Sequence, residues 1–266
     1  MNLDSILSID VAGLRIFGRA DPLQPHGLFL GPDGFTGWDD GVDMRRDDAP
    51  RPSAAGSFPE TGFLGTRTIV LGGTAFAASP QELMHLGRRF RGVLASGTTG
   101  RVSLSRHGST EWARAALAAG ARPLFAIRGR TPQVADWQLT LWCPDPRKFG
   151  DRTPLRTTGP GETQPIYHRG NYPAAPQLIV RGNMPNGYRV EGPGFTYVVA
   201  RAVTPEAPHR IDNATGLLSI GGAVQLNAIT SGTGWVIAPD TAPVTHKLLP
   251  VTGTGTLETE LYSTYI

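Results

Sequence analysis

The sequence contains very little cysteine and has no long apolar run. Its single cysteine, Cys143, excludes an intrachain disulfide and any zinc site built from clustered cysteines. No stretch approaches the roughly 18 consecutive apolar residues of a membrane helix. Residues 1–13 include an early acidic residue and no basic region before an apolar segment, which argues against a signal peptide. We therefore expect a soluble protein that is made in the cytoplasm and has no membrane partner.

Lysine is also scarce. Of the 25 basic residues, only Lys148 and Lys247 are lysines, and the others are arginines. The net charge is only +3, and the arginines are scattered along the chain. The densest runs are Met44–Arg46 and Arg88–Arg91. A protein that binds nucleic acid would normally concentrate such charge in a patch or stripe. The charge pattern therefore argues against nucleic-acid binding.

Glycine and proline are abundant, with 34 and 23 residues in a chain of 266, and this composition favours many short strands over long helices. A polar, proline-containing and glycine-containing segment at residues 150–164 is typical of a domain boundary. We predict a mainly β protein with two domains. Residues 1–160 would form a β domain with one helix, and residues 161–266 would form an all-β sandwich of short strands at regular spacing.

The predicted helix lies near residues 79–94, where Ser79 is a candidate N-cap, Pro80 occupies the first helical position and Glu82 completes a capping box. Residues 39–61 are polar and are predicted to form a long loop that reaches a partner. The segment at residues 28–38 is interpreted as a strand followed by a turn at its Pro-Asp-Gly sequence. Residues 111–123 are rich in alanine, and their flanking glycines favour a strand over a helix.

The stretch DWQLTLWCPDPRKFG, at residues 136–150, has the alternation of a buried strand. Trp137, Leu139, Leu141 and Cys143 would share one face. The prolines that follow cannot donate ladder hydrogen bonds, so the strand must end there. Cys143 continues an apolar face and is interpreted as a packing residue, although a nearby histidine would make it a candidate nucleophile.

No pattern of catalytic or metal-binding residues stands out. The six histidines form no HxH or HExxH motif, and the sequence contains no GxSxG elbow and no Walker A loop. His209 and Asp212 could form an acid–base pair, but on a strand they would point to opposite faces. We therefore predict no catalytic residues, no metal site, no cofactor, no small-molecule substrate and no enzymatic activity.

The order of motifs along nearly the whole chain resembles the distal tail proteins of siphophages, which are often classed as minor tail proteins. An arginine-bearing loop precedes the strand RTIVLGG, and the capped helix and a strand meander follow. The chain then contains LTLWCPDPRKFG, with Asp145, Pro146 and Arg147 as a domain-end motif. The segments carrying the resemblance in the second half are GNYPAAPQLIVRG, HRIDNATGLLSIGG and GWVIAPDT.

This resemblance implies an N-terminal belt domain that forms a homohexameric ring and a C-terminal galectin-like β-sandwich. It also implies a virion protein at the tail tip that joins the tail-tube protein to the tail-associated hub protein of the baseplate. DNA would pass through the ring without specific contacts. The sequence departs from the common turn residues of the family at two places, Tyr172-Pro173 and Asp240-Thr241.

For the ring, the sequence predicts interface contributions from the loop at residues 39–61 and from residues 67–71. The candidate interface residues are Arg45, Arg46, Arg67, Ile69 and Leu71. The alternative is a carbohydrate-binding β-sandwich protein used in host adsorption. That alternative requires exposed aromatic side chains, and alternation suggests instead that Trp235 and most tyrosines of the second domain belong to its core.

Overall fold

The computed structural model describes residues 7–19, 24–153, 156–232 and 234–266. Residues 1–6, on which part of the signal-peptide expectation depends, lie outside the described residues. The chain divides into two compact units, one ending at Lys148 and the other spanning Phe149–Tyr265, with Ile266 assigned to the first. The described helix is too short and too polar to cross a membrane.

The boundary between the units lies at residues 148 and 149, twelve residues before the predicted boundary at 160. Much of the segment predicted as a linker forms strands instead. Arg156–Thr158 pairs with Thr254–Glu260, and Thr163–Ile166 pairs with Val244–Pro250, both within the second unit. Pro154 and Leu155 of the predicted linker lie outside the described residues. Polar composition indicated a linker here, but edge strands tolerate the same polar residues.

The first unit contains strands joined mainly by short turns and one described helix, α1 (Pro80–Arg91). Its strands are β1 (Ser8–Val11), β2 (Leu14–Phe17), β3 (Gly27–Thr36), β4 (Met44–Arg45), β5 (Phe63–Leu64), β6 (Arg67–Phe76), β7 (Gly100–Arg106), β8 (Ser109–Leu117), β9 (Leu124–Arg128) and β10 (Thr131–Cys143). Residues 111–117 of the alanine-rich segment thus lie in strand β8, as predicted, and residues 118–123 connect β8 to β9.

Among the described residues, seven strands of the first unit form a closed sheet in the order β8-β7-β1-β2-β3-β6-β10. The sheet closes where β10 pairs with β8, through Leu141 opposite Leu117 and Trp142 opposite Ala116. Strands β2 and β3 are parallel, and the other neighbours in this sheet are antiparallel. Strand β9 extends from the outer edge of β10.

The alternation in β10 places one apolar face in the core, as predicted. Trp137, Leu139, Leu141 and Cys143 are all buried, whereas Trp142 on the opposite face is 38% exposed. Fully burying a side chain such as that of Leu139 or Leu141 contributes roughly 1.5–3 kcal/mol to stability. The strand ends at Cys143, immediately before the two prolines that cannot continue its ladder.

One short-range expectation differs from the structure where strands of this unit pass close to one another. The Pro-Asp-Gly sequence predicted as a turn lies inside β3, which bulges between Leu30 and Phe35. The glycine pair Gly72–Gly73 lies inside β6. A side chain at Gly73 would collide with the backbone carbonyl of Phe29 on β3. The ladder between β3 and β6 skips residues 31–34 at this bulge and resumes at Phe35, whereas the glycine pair of β6 stays paired with β10.

Helix α1 begins where the capping pattern predicts and ends three residues earlier than expected. The Ser79 hydroxyl accepts a hydrogen bond from the Glu82 backbone N–H at 3.2 Å, and the Glu82 carboxylate accepts one from the Ala78 N–H at 3.1 Å. Leu83 and Phe90 are buried, and the Phe90 ring packs against Trp137 with centroids 5.6 Å apart. The helix thereby covers one side of the core.

Replacing Ser79 with alanine is expected to lower the free energy of unfolding by about 1 kcal/mol, because the Glu82 N–H loses its acceptor at the first turn. Denaturant unfolding followed by circular dichroism measures this change. Ser53→Ala, at an exposed position outside the helix, serves as the matched control and should leave stability unchanged. Equal effects of the two substitutions would contradict a capping role for Ser79.

Residues 41–66 form a hairpin-like extension, which we call the arm. Its short strands β4 and β5 pair through Met44 with Leu64 and Arg45 with Phe63, and a bridge joins Pro50 to Ser57 farther out. Nearly every residue of the arm is exposed. The predicted loop at residues 39–61 is therefore partly ordered by pairing with the segment that follows it.

The second unit is a sandwich of two antiparallel sheets, ordered β12-β22-β14-β17-β18-β19 and β13-β21-β15-β16-β20. Its strands are β11 (Lys148–Arg152), β12 (Arg156–Thr158), β13 (Thr163–Ile166), β14 (Gln177–Asn183), β15 (Tyr188–Gly192), β16 (Phe195–Val199), β17 (His209–Asp212), β18 (Leu217–Ile220), β19 (Ala223–Gln225), β20 (Ile229–Ser231), β21 (Val244–Pro250), β22 (Thr254–Glu260) and β23 (Tyr262–Tyr265). Strand β11 begins at the boundary residue and pairs with β23.

Residues from both sheets share one core, with Val180 and Ile211 on one side and Val190 and Tyr197 on the other. This arrangement confirms the predicted β-sandwich. The segment at residues 234–240 contributes a single bridge, between Ile237 and Ala174. Its tryptophan nevertheless contacts the core.

Candidate functional site

Arg67 donates four hydrogen bonds to backbone carbonyl oxygens of the first unit, and it is only 2% exposed. Its Nε donates a hydrogen bond to the carbonyl oxygen of Pro146 at 2.9 Å. Its Nη1 donates to the carbonyl oxygens of Gly37, Trp38 and Asp40 at 2.7, 3.0 and 2.9 Å. Burial lowers the pKa of the guanidinium. Arg67 therefore connects the segment before the arm to the end of the first unit.

Lys148 strengthens the same junction from the other end of the unit. Its Nζ donates to the Trp38 carbonyl oxygen at 2.9 Å and lies 3.7 Å from a carboxylate oxygen of Glu111. That oxygen also accepts a hydrogen bond from the Trp38 indole at 3.0 Å. Burial lowers the pKa of the Lys148 ammonium, and the nearby Glu111 carboxylate opposes that shift. Trp38 is thus fixed by its backbone and by its ring.

A partly exposed ion pair links the segment at residues 37–40 to β7. Arg106 forms a bidentate pair with Asp39, with both nitrogen–oxygen distances at 2.6 Å. The hydrogen bond from Arg106 lowers the pKa of the Asp39 carboxyl. Because both partners are partly exposed, this pair contributes far less to stability than the buried Arg67 contacts.

The residues predicted for a ring interface divide into two groups. Ile69 and Leu71 are fully buried, Arg67 is occupied by its carbonyl contacts, and their strand β6 has β3 and β10 as neighbours on its two edges. The prediction that these three residues provide interface contacts is therefore corrected: they build the interior of the first unit. Arg45 and Arg46 are exposed on the arm, and for them the interface stays a prediction.

The domain-end motif lies directly beside this junction. The Arg147 guanidinium forms a short ion pair with Asp145, at 2.7 Å, and the Pro146 carbonyl receives the Arg67 hydrogen bond. The sequence singled out the domain-end motif and, separately, Arg67 as a candidate interface residue. It carried no signal that the two are in contact, because 79 residues separate them.

The residues considered for catalysis serve as packing and hydrogen-bonding groups. Cys143 is buried, and burial raises the pKa of its thiol to about 11, which opposes thiolate formation. His209 is buried between the Tyr188 hydroxyl at 3.2 Å and the Ala202 carbonyl at 3.1 Å. Asp212 lies on the other face of that strand, as alternation predicted. No group of three metal-ligating side chains occurs among the described residues.

The aromatic residues considered for sugar binding lie mainly in the core of the second unit. Trp235 stacks on Phe195 with ring centroids 4.6 Å apart and lies 5.1 Å from His246. Tyr188 and Tyr197 are fully buried. These positions agree with the prediction that Trp235 packs against the core.

A shallow cavity of about 350 Å³ lies against strands β17, β18 and β19 of the six-stranded sheet. It is lined by polar residues such as Arg210 and Ser219 and by apolar residues such as Leu217 and Val224, with no aromatic residue among the lining side chains. Sugar rings commonly bind against an aromatic face, so this cavity lacks the feature that the carbohydrate-binding alternative requires.

No family model matches the sequence, and no curated protein matches it. Solved structures do match. The Dit protein of phage SPP1, a paradigm of the hub adsorption apparatus in phages that infect Gram-positive bacteria, is similar over 98% of this chain and 100% of its own, with 13% identity and a TM-score of 0.68. Chains of the phage P2 baseplate, in its activated conformation with calcium and with strontium, match over 96% of this chain and 97% of theirs, with 10% and 9% identity and TM-scores of 0.45 and 0.43. The resemblance drawn from the sequence is thus confirmed at the level of architecture, and the chain has the fold of the SPP1 Dit protein.

Proposed function

We propose that this chain is a structural, non-enzymatic protein of a phage tail tip. Six copies would form a ring through their first units, and the ring would join the tail-tube protein to the hub protein of the baseplate. The second units would serve as accessory β-sandwich domains of galectin-like type. In this role the protein is a virion component, and DNA passes through the ring without specific recognition.

The observation that carries this proposal is the match to SPP1 Dit over both units, with 98% of the chain covered and a TM-score of 0.68. A likeness across the whole chain preserves the order of the two units, which an unrelated β-sandwich would not reproduce. Fold alone does not determine function. The absence of a catalytic arrangement among the described residues is compatible with a structural role.

The surface of the first unit also suits assembly. The arm is an ordered but almost fully exposed extension, and its base is held by the buried Arg67 and Lys148. A two-stranded ribbon is marginally stable in isolation, so a partner that covers it would contribute to its order. The scattered arginines at a net charge of +3 provide the mild positive potential that suffices around a DNA channel.

The carbohydrate-binding alternative is not favoured by a specific observation. Its main candidate, Trp235, is occupied by contacts with Phe195 and His246. Binding to a glycan array that is lost in a folded Trp235→Ala variant would revive this function.

At micromolar concentration, light scattering is expected to report a particle of six chains of 28.4 kDa each, either alone or after addition of the tail-tube protein. The reason is that a heterologous contact between identical chains closes into a ring when its rotation permits. Negative-stain electron microscopy of the same sample should show rings. A strict monomer under both conditions would count against ring formation.

A further inference from the structure

Both sheets of the second unit end at two strands that follow one another in the chain. Strand β19 ends the six-stranded sheet and, among the described residues, pairs with β18 only. Strand β20 ends the five-stranded sheet and, within the same part of the chain, pairs with β16 only. Residues 226–228 join the two strands. Each of these strands therefore offers a free edge for hydrogen bonding.

The segment that forms these two edges carries no charge. Residues 213–239 contain no aspartate, glutamate, lysine, arginine or histidine, although the chain has 22 acidic and 25 basic residues. Strands β19 and β20 also contain no proline. Natural proteins usually protect an edge with charge, proline, a covering element or short length, and β19 has only its short length. Its edge is therefore open to another strand, through a contact that is small.

Two apolar side chains are exposed beside the cavity of the six-stranded sheet. Val224 is 54% exposed, and Leu226 is 72% exposed, the largest fraction among the large apolar side chains described. Val224 lies opposite Ser219 on β18, and both line the cavity together with Leu217 and Gly222. Nothing lies within 4 Å of the place that a side chain would take at Gly222. An apolar side chain and an open cavity therefore lie side by side at this edge.

The backbone of Val224 presents a donor and an acceptor to the free edge. A two-residue turn joins β18 to β19 and closes on the pair of Ile220 with Ala223. Such a turn closes on a hydrogen-bonded pair, and the two kinds of pair alternate along an antiparallel ladder. The next pair, Ser219 with Val224, is therefore not hydrogen-bonded. As a result, the N–H and C=O groups of Val224 point away from β18.

Two copies of this edge are complementary to each other. When two β19 strands run antiparallel with their Val224 residues opposite one another, each Val224 N–H can donate to the C=O of the other. In this register Leu226 of each copy comes opposite Gly222 of the other, beside its cavity. A charge at the central position would face its own copy and oppose pairing. The lack of charge thus favours a second copy of this chain as the occupant of the edge.

We propose that the β19 edge of one copy of this chain pairs with the β19 edge of a second copy about a two-fold axis. The two six-stranded sheets then continue into each other, and Leu226 of each copy covers the cavity of the other. Such a contact is isologous, so it does not relate neighbours within a six-membered ring. The second copy is a free chain or belongs to another ring, and the contact is independent of the ring proposed above.

The contact between one pair of edges is weak. It joins two three-residue strands through two central hydrogen bonds and two leucine contacts. This is well below the roughly 1,000 Å² of buried surface that a stable interface needs. Pairing is therefore expected at protein concentrations well above the micromolar range, or when the contact is trapped covalently.

A single cysteine near the two-fold axis traps the contact. In Val224→Cys the two thiols of a pair would lie directly opposite one another, with Cα atoms about 5.5 Å apart, within reach of a short bismaleimide. Cross-linked dimers are expected from the concentrated full-length protein, in which the native Cys143 is buried. Val251→Cys, at an exposed apolar position of the same unit, is the matched control and should stay largely uncross-linked. Equal dimer yields from the two variants, or none from Val224→Cys, would overturn the pairing.

Charge at the same position provides a second test. Val224→Lys and Val224→Asp each place like charges opposite one another, so each variant alone is expected to lose the rise in mass with concentration that analytical ultracentrifugation shows for the wild type. An equal mixture places lysine opposite aspartate and is expected to restore that rise. Val251→Lys and Val251→Asp should behave like the wild type, and circular dichroism verifies that all variants are folded. A mixture that associates no more than its separate components would contradict the proposed register.

The outcomes separate this pairing from the ring. Particles of six chains whose mass stays constant with concentration, together with no dimer from Val224→Cys, would overturn the pairing and leave the ring supported. Cross-linked dimers from a protein that forms no six-chain particle would support the pairing and count against the ring.

Discussion

Replacing Arg67 with methionine is expected to lower the free energy of unfolding by roughly 3–5 kcal/mol. The substitution removes donors from four backbone carbonyl oxygens, those of Gly37, Trp38, Asp40 and Pro146. Methionine fills much of the same volume but donates no hydrogen bond. Because the site is buried, water cannot easily replace the lost donors, and unpaired buried acceptors keep their full desolvation cost.

Guanidinium chloride unfolding of the full-length chain measures this effect. Arg114→Met is the matched control, because Arg114 is exposed on β8 and its loss should change stability by less than about 0.5 kcal/mol. Arg67→Lys is expected to fall between the wild type and Arg67→Met, since a single ammonium cannot reach all four carbonyl oxygens. A loss below about 1 kcal/mol for Arg67→Met would contradict the role assigned to this residue.

Replacing His246 with phenylalanine is expected to make the stability of the protein less sensitive to acid. His246 is buried against Trp235 and Phe195, and neither ring nitrogen has a hydrogen-bond partner within the described structure. Burial lowers its pKa from the ordinary 6.5 to about 4. Phenylalanine has a similar shape, suits this aromatic cluster and removes two unpaired polar atoms.

The direction of the pH effect follows from proton uptake. Between pH 6.5 and about 4 the unfolded chain binds a proton at His246 that the folded chain does not bind. Stability is therefore complete above pH 6.5 and falls as the pH is lowered toward 4, by roughly 3 kcal/mol from this residue. Burial lowers the pKa of His209 as well, so it acts in the same direction and remains in the variant.

Calorimetric unfolding at pH 7 and at pH 4.5 tests this prediction. The wild type should lose more stability than His246→Phe between the two pH values, and the variant should be at least as stable at pH 7. Val251→Phe, an aromatic substitution at an exposed position, serves as the control and should keep the wild-type pH dependence. An identical pH dependence in the wild type and in His246→Phe would sink the idea.

Local patterns predicted several elements because their causes lie within a few residues. The alternation from Trp137 to Cys143 predicted a buried face, and the prolines that follow predicted its end. Ser79 and Glu82 predicted the start of the helix, since a capping box requires only neighbouring residues. The alternation along residues 209–212 likewise predicted that His209 and Asp212 lie on opposite faces of one strand.

Other features depended on neighbours that are distant in sequence. The interface prediction for Ile69 and Leu71 was wrong because the pattern of a strand does not reveal whether both of its edges are already paired. Arg67 was predicted to lie at an exposed interface. Its partners are instead carbonyl oxygens contributed by segments 27 to 79 residues away. The Pro-Asp-Gly sequence likewise forms a bulge within β3 rather than a turn that ends the strand, because β3 resumes its pairing with β6 at Phe35.

The sequence by itself determined the mainly β class, the capped helix, the buried face of β10 and the resemblance to distal tail proteins, because each of these follows from short-range periodicity or from the order of motifs. Only the tertiary structure decided that β10 returns to β8 and closes the sheet, and that the units meet in sequence at residues 148 and 149. It alone placed Arg67 at the base of the arm and, among the described residues, left the second edge of β9 unpaired. The physical reason is that burial and strand pairing are properties of segments brought together from across the chain, and a local pattern records only one partner of each contact.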